Sequence, residues 1–440
     1  MALSANTVWE VRTDGSDTNG GGFVTGASGT DYSQQAAAQL SVSDAACTGN
    51  TTVTSATGGF TDAMIGNIIY LSSGPSWYQI TARTDTNTIT IDRNGPNATG
   101  MTANVGGALG SPGGLGLVLS TASVGVSGQT AHMKVGTYTL TSTTANISGG
   151  RLSHTSANFY RLIGYNATRE DDGTPPVIDC AALTAFTAVT FGAAGNASSE
   201  IRNIKVDGND NATVVGFSIG ASALAYLCQA LDCPTGFSAA STTLVVRCYA
   251  ESCATNGFSG GQYTACRSKD CGIGFNTPIA AIRCIATGGT TGFTLTFTGR
   301  IYHCIAYGQS GDGFEMSSNA RSASAVNCIA EGCGGYGFDA ESNQNAVGAI
   351  LDCAGYNNTS GNVNNSTKVG IYLNFQALTG SPFVDAATDD FRLNNTASAG
   401  AGLRNAATPV YGISDETSIG AVEFQQAGTT IVLHRPKRVM

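Results

Sequence analysis

An all-β coil of stacked rungs, a parallel β-helix, is the fold class that this sequence predicts. Three observations point to it: a recurring cysteine, a Gly-Phe pair that recurs in step with it, and apolar positions that alternate with a period of two. Cys228, Cys248, Cys266, Cys284, Cys304, Cys328 and Cys353 are separated by 20, 18, 18, 20, 24 and 25 residues. Downstream of the first six stand Gly236-Phe237, Gly257-Phe258, Gly274-Phe275, Gly292-Phe293, Gly313-Phe314 and Gly337-Phe338. Two further columns keep the register. A small residue follows two positions after each Cys (Ala230, Ala250, Ser268, Ala286, Ala306, Ala330, Gly355), and a second Cys often stands five positions after it (Cys233, Cys253, Cys271, Cys333). A unit of roughly 20 residues cannot bury its own apolar face and must stack on its neighbours.

Each element follows from these columns. Around the column Cys, the residues two before it (Tyr226, Val246, Thr264, Ile282, Tyr302, Val326, Leu351), the Cys itself and the residue two after are mostly apolar or small. The residue immediately before includes Arg247, Arg283, His303, Asn327 and Asp352. Alternation by two therefore expects the first set inside and the second outside. Glycine in every repeat and a period of two, not 3.6, exclude a helical array. Rungs stack about 4.8 Å apart, so the cysteines read as ladders of small inward hydrophobes, expected as reduced thiols; bridges between adjacent rungs are also open to them on geometry alone. Residues 1 to about 110 lack these columns and form a separate β-rich module, with strand-like runs at Ile68 to Leu71, Tyr78 to Ala82 and Thr88 to Ile91. The Gly-rich stretch Gly106 to Gly116 is the expected joint. The coil then runs over residues 111–375, and 376–440 form a C-terminal cap over the backbone groups of the last rung.

Composition narrows the function. With 58 Gly among 440 residues and 12% charged residues, glycine is nearly double its usual share and charge about half. A net charge of −9 argues against a nucleic-acid grip or an anionic membrane surface. Glu10 and Arg12 interrupt the apolar stretch that a secretory peptide needs, and no run approaches spanning length, so a soluble protein made in the cytosol is expected.

Cys304-Ile305-Ala306-Tyr307-Gly308 with Gly313-Phe314, and Cys328-Ile329-Ala330-Glu331-Gly332 with Gly337-Phe338, resemble rungs of pectate-lyase-like right-handed parallel β-helix proteins. Val135-Gly136-Thr137-Tyr138, Ile163-Gly164-Tyr165 and Pro175-Pro176-Val177-Ile178 look like first rungs. Pro382 to Asp385, Asp390 to Leu393 and Ser418 to Glu423 are similar to closing segments of such proteins. The opening 110 residues, with Trp9-Glu10-Val11-Arg12 and Gly66 to Tyr70, resemble N-terminal regions of tailed-bacteriophage structural proteins. The resemblance implies a right-handed coil of tailspike or capsid-decoration type, located on the virion and assembled as a homotrimer. It also implies attachment to other virion proteins through the N-terminal module, and host contact that extends to surface polysaccharide. Two functions follow: a rigid structural projection, or a tailspike enzyme that hydrolyses or eliminates host glycans. The Gly-His-Gly motif of polygalacturonases within that superfamily is absent, and both Trp residues, Trp9 and Trp77, lie outside the coil.

For the enzymatic reading the candidate catalytic residues are Glu315 and Asp339. Each directly follows an inward Phe, which places them on the outer face of adjacent rungs, and carboxylates about 5 Å apart suit a retaining glycosidase. The same column elsewhere reads Ser238, Ser259, Asn276 and Thr294, an ordinary solvated face, so a polar ladder remains the alternative. One outward column is apolar: Tyr249, Ile285, Ile305 and Ile329 follow the Cys directly, and an exposed apolar stripe marks either a subunit interface or a surface covered by the chain's own tail, with Ile431 to Met440 the expected cover. No cofactor and no metal are expected. His132, His154, His303 and His434 are scattered, the Cys pairs spaced by five read as packing, and Asp14 to Asp17 and Asp207 to Asn211 read as turns ahead of Ca²⁺ loops.

Overall fold

The computed structural model describes residues 3–407 except 74–76, 122–123, 127, 141–146, 149–159, 182–186, 192–198, 211–212, 297, 317–321, 341–347, 365–368 and 405. Ser418 to Glu423, Ile431 to Met440, His154 and His434 lie outside the described residues, as does Asn211. The chain is a right-handed parallel β-helix with a small antiparallel barrel near its N-terminus. It divides into two compact units, residues 1–280 with 286–294 and residues 281–285 with 295–440.

In the first unit a rung is built from three strand segments, as in Val215–Ile219, Leu224–Tyr226 and Gln229–Leu231, the first two running on as one strand in Thr235–Val246 and Asn256–Thr264. Each pairs in parallel and in register with its counterparts one rung away. Phe217, Phe237, Phe258, Phe275 and Phe293 are matched in one column, Ile201, Ala225, Val245 and Tyr263 in a second, and Val206, Ala230, Ala250 and Ser268 in a third. All of these side chains are buried. The Phe rings are nearly parallel, with centroids 4.8, 4.9, 4.8 and 4.7 Å apart, so offset stacking is repeated once per rung. In the second unit Phe314 and Phe338 stack at 4.6 Å in the same way.

The glycine of the Gly-Phe pair has a steric cause. A Cβ on Gly236 would lie 2.8 Å from the carbonyl oxygen of Gly257 and 3.1 Å from Cys253 Sγ; on Gly257 it would lie 2.5 Å from Ser268 Oγ and 2.9 Å from the Gly274 carbonyl. The backbone of this strand thus presses against the neighbouring rung at the place filled by the small residue and the second Cys. Three sequence columns (glycine, small residue, second Cys) are one packing contact.

The structure corrects the inward assignment around the column Cys. The residue immediately before it adopts left-handed backbone: Leu227 (φ 55°), Arg247 (53°), Ala265 (53°), Arg283 (56°), His303 (53°), Asn327 (57°) and Asp352 (50°). That one residue turns the corner between two strands and resets the alternation. The residue three before the Cys therefore points inward (Ala225, Val245, Tyr263, Ala281, Ile301, Ala325, Ile350), whereas Tyr226, Val246, Thr264, Ile282, Tyr302 and Leu351 are half-exposed. His303, Asn327 and Asp352, expected outside, are buried at the corner. There Asn327 Nδ2 lies 3.2 Å from His303 Nε2, and Asn374 Nδ2 donates to Asp352 Oδ1 at 3.0 Å.

All thirteen cysteines are buried thiols. Column thiols donate to carbonyls, either two residues back or one rung away, as Cys266 does to Val245 and Cys304 to Ala281. Burial pushes Cys180, Cys233 and Cys333 up to about 12.

The N-terminal module is a closed antiparallel barrel formed by Leu40–Thr48, Thr52–Thr54, Ile68–Leu71, Trp77–Asp85, Thr88–Ile91 and Asn97–Val105. Its core gathers Val53, Phe60, Ile69, Leu71, Ile80, Ile89 and Met101. Thr7–Val11, expected within the module, instead pairs in parallel with Thr130–Lys134 as a strand of the coil, with Val8 opposite Thr130. The expected Gly-rich joint contains a helix, Pro112–Ser120, started by Pro at its first turn and by the Ser111 hydroxyl, which accepts from Gly114 N. Asp17 fixes this start by accepting from the Gly110 and Ser111 amides. Among the described residues no helix is long and apolar enough to cross a membrane.

Candidate functional site

Phe314–Met316 and Tyr336–Asp339 pair so that Phe314 faces Phe338 and Glu315 faces Asp339. The two candidate carboxylates are therefore direct neighbours on adjacent rungs, half-buried on the outward side. Asn364, one rung on and paired with Asp339, donates its Nδ2 to Asp339 Oδ1 at 3.0 Å. A third carboxylate, Asp312, belongs to this neighbourhood. Its Oδ1 accepts the Tyr336 amide at 2.6 Å, and its acidity is weakened by burial first and by the charge of Asp339 in addition. Asp312 stands two residues before Phe314, in the turn preceding the strand, where strand alternation gives no facing. In the first unit the equivalent outward column is matched as Ser218, Ser238, Ser259, Asn276 and Thr294. The carboxylate pair thus takes a position that these five first-unit residues fill with hydroxyls and an amide.

The apolar outward column has a different fate from the one expected. Ile305 and Ile329 are fully buried, and what covers them is the chain's own segment: Phe383, Ala386, Phe391, Leu393 and Leu403 form one core with them, with Ile285, Tyr307 and Leu378 packed at its margin. Phe391 meets Phe383 edge-to-face at 5.2 Å and Tyr307 at 5.6 Å. Ser381 Oγ donates to Glu331 Oε2 at 3.1 Å, and burial raises the pKa of Glu331, making it a weaker acid. The expectation of a subunit seam at Ile305 and Ile329 is corrected accordingly: sheet residues that alternation leaves outside are enclosed by residues 378–407. Tyr249, in the other unit, is half-exposed, paired with Gln229 and Arg267.

A polar cluster that the sequence did not reveal lies in the first rungs. Glu10, fully buried, faces His132 across the parallel pair. Its carboxylate accepts from the Tyr165 hydroxyl and, at 2.8 Å, from Arg169 Nε. Arg169 also donates to Asp31 Oδ2 at 3.0 Å and to Ser33 Oγ at 2.8 Å. Burial raises Glu10, opposed by the Arg169 charge, and pushes His132 down to about 4. Asp171, accepting from the amides of Asn166, Ala167, Thr168 and Gly173, holds the loop that delivers Arg169. This network ties residues 10, 31–33, 132 and 165–173 together; it has no exposed carboxylate at its centre. Of its members the sequence singles out Glu10 as a charge where a secretory peptide would be apolar, His132 as a scattered histidine and Tyr165 as part of a first rung, and nothing in it joins the three.

Among the described residues no group of three or more His, Cys, Asp or Glu side chains is arranged to hold a metal ion. Asn209 and Asp210 are left-handed turn residues, and Asn209 Nδ2 donates to Asp179 Oδ1 at 2.5 Å.

No protein-family model and no curated protein matches the chain. Among solved structures it is similar to a rhamnogalacturonan lyase (13% identity, TM-score 0.38, covering 57% of this chain and 70% of that one). It is also similar to the A-module of the Azotobacter vinelandii mannuronan C-5 epimerase AlgE4 (15%, 0.31, 52% and 70%) and to tailspike protein 3 of bacteriophage CBA120 (11%, 0.29, 57% and 57%).

Proposed function

We propose that this chain is a structural projection of a tailed-phage virion, in which the coil is a rigid element and the N-terminal barrel the attachment module. The observation that carries the reading is the solid, uniform interior: stacked Phe rings, thiol ladders and a close-packed glycine column repeat from rung to rung, so the coil resists bending and local opening. The outward Ser, Asn and Thr column is a hydrated surface suited to exposure on a particle. The resemblance of the first 110 residues to phage structural proteins supports the same assignment. The projection is proposed as a homotrimer, joined through surfaces other than the enclosed Ile305 and Ile329. The test is mass spectrometry of purified particles together with labelling of the barrel and the coil in electron micrographs. Detection in stoichiometric amount, with the barrel label proximal and the coil label distal, supports the reading; absence from washed particles overturns it. Light scattering of the isolated protein measures the trimer directly.

A second reading, cleavage of host glycans, rests on the Glu315–Asp339 pair with Asp312 beside it. Reducing-sugar release from host polysaccharide that disappears in Glu315→Gln and in Asp339→Asn, with the fold retained, would establish it. Equal release by both variants and the wild type removes these residues from any such chemistry.

A further inference from the structure

Residues 378–407 shut in one carboxylate without supplying a charge to meet it. Glu331 stands three residues after Cys328, matched with Tyr307 and Tyr356 on the neighbouring rungs. It is 7% exposed, because Phe383, Phe391, Leu393 and Leu403 lie over this face and pack on Ile305, Ile329 and Ala354. The Ser381 hydroxyl is its hydrogen-bond donor, and among the described residues no Lys, Arg or His side chain pairs with it. Comparably buried carboxylates are better partnered: Glu10 has Arg169, and Asp352 accepts from Asn374. Glu251, three residues after its own Cys248, is half-exposed and bound to Lys269 at 2.9 Å. An ionised carboxylate enclosed with one neutral donor is costly, and the cost is relieved once water reaches it.

We propose that residues 378–407 are a strap whose grip on the coil is set by the charge of Glu331, fast when the carboxyl is protonated and loosened when it is ionised. From the coil, Tyr307, Tyr356 and the Cys333 thiol stand nearest; burial raises Tyr307 and pushes Cys333 up to about 12, so both stay protonated at neutral pH. From the strap come Asp385, exposed and felt by Tyr307, Asp389 at the end of the same turn, Asp390 paired with Arg392, and Arg404, bound to the Asn395 side chain and the Leu393 carbonyl. Neither arginine reaches Glu331. Burial raises the enclosed carboxyl and the Ser381 bond opposes it, whereas with the strap lifted the hydrated group returns to its ordinary 4.5. The closed strap therefore binds the proton more tightly. Its extra stability is complete below about pH 4.5 and is lost as pH rises through the raised value of the closed state; each unit between the two values multiplies the open fraction about tenfold. Opening bares Ile305, Ile329 and Ala354, an apolar stripe on adjacent rungs.

Hydrogen exchange of the full-length protein, read by peptide mass spectrometry from about pH 4.5 to about pH 8, follows the strap directly, since a two-stranded hairpin lifted off its support does not protect its own amides. After correction for the intrinsic exchange rate at each pH, protection of residues 378–407 should fall as pH rises, the Leu378 amide that donates to the Gly355 carbonyl included. The coil strands Arg300–Tyr302 and Ser324–Val326 should stay level. Glu331→Gln keeps an acceptor for Ser381 and carries no charge, so its strap should be level across the range and better protected than wild type at the alkaline end. Ser381→Ala, made on the strap and leaving the coil untouched, removes the one donor and should deepen the fall. Circular dichroism checks that each variant is folded. A wild-type strap whose protection is independent of pH, a fall that persists undiminished in Glu331→Gln, or one that Ser381→Ala does not deepen overturns the proposal.

Discussion

A single methyl group tests why each rung carries glycine before its phenylalanine. In Gly236→Ala the added carbon would meet the Gly257 carbonyl at 2.8 Å, and a backbone oxygen held in a parallel ladder cannot withdraw as a flexible side chain could. Overpacking of this kind costs about 1–3 kcal/mol. The urea midpoint should fall accordingly while the far-ultraviolet spectrum is retained; an unchanged midpoint would show that rungs shift freely against one another. His132 offers a pH test at the same scale. Its folded value near 4 lies below the ordinary 6.5, so between these values the unfolded chain binds a proton that the folded chain does not. Stability is thus complete above about pH 6.5 and declines as pH falls toward 4, by a ceiling of about 3 kcal/mol. Glu10, raised by burial, works in the opposite direction, so the measurement is the difference between wild type and His132→Gln at each pH. That difference should shrink on acidification, and a constant offset would exclude His132 as the source.

Elements show where sequence reasoning succeeded and where it lost phase. The Cys, Gly-Phe and small-residue columns were legible because each is a local signature of one inward contact. The left-handed corner was not, because Leu227, Arg247 and Ala265 carry none of the Asn or Gly chemistry that marks such a turn, and a single turn residue shifts every strand residue before it by one. The carboxylate pairing of Glu315 with Asp339 followed from alignment on Phe, whereas Asp312 and the Glu10 network depend on turns and distant segments that no periodicity records. The strap over Ile305 and Ile329 is also non-local. Phe391 anchors it between Phe383 and Tyr307, so Phe391→Ala should loosen residues 378–407 and speed tryptic cleavage at Arg392 and Arg404, while the coil's own cleavage pattern is unchanged. An equal rate in wild type and variant would mean that the strap is held elsewhere. For the same reason Ile305→Asp places an unpaired charge inside a closed core, and its expected effect is loss of stability before any change of subunit association.

At the scale of the molecule, a stacked coil and a closed barrel differ in how damage spreads. Each rung touches only its two neighbours, so stability is a sum of rung and nearest-neighbour contributions, whereas a barrel core such as that of Phe60, Ile69 and Ile89 is shared by all its strands. Phe258 is the clearest probe, because its ring is sandwiched between Phe237 at 4.9 Å and Phe275 at 4.8 Å and is met edge-on by Tyr263. Phe258→Ala removes two stacked contacts and leaves a cavity, a loss of about 3–5 kcal/mol when the site cannot collapse. The parallel ladder keeps it from collapsing, since Phe237 and Phe275 are held by their own backbone pairs. Hydrogen exchange should therefore accelerate most in Thr235–Val246 and Ile273–Asn276, less in Thr187–Phe191 two further rungs away, and not at all in the barrel strands Ile68–Leu71 and Thr88–Ile91. A uniform acceleration through barrel and coil would show one cooperative domain, and would remove the physical basis for treating the barrel as an independent attachment module.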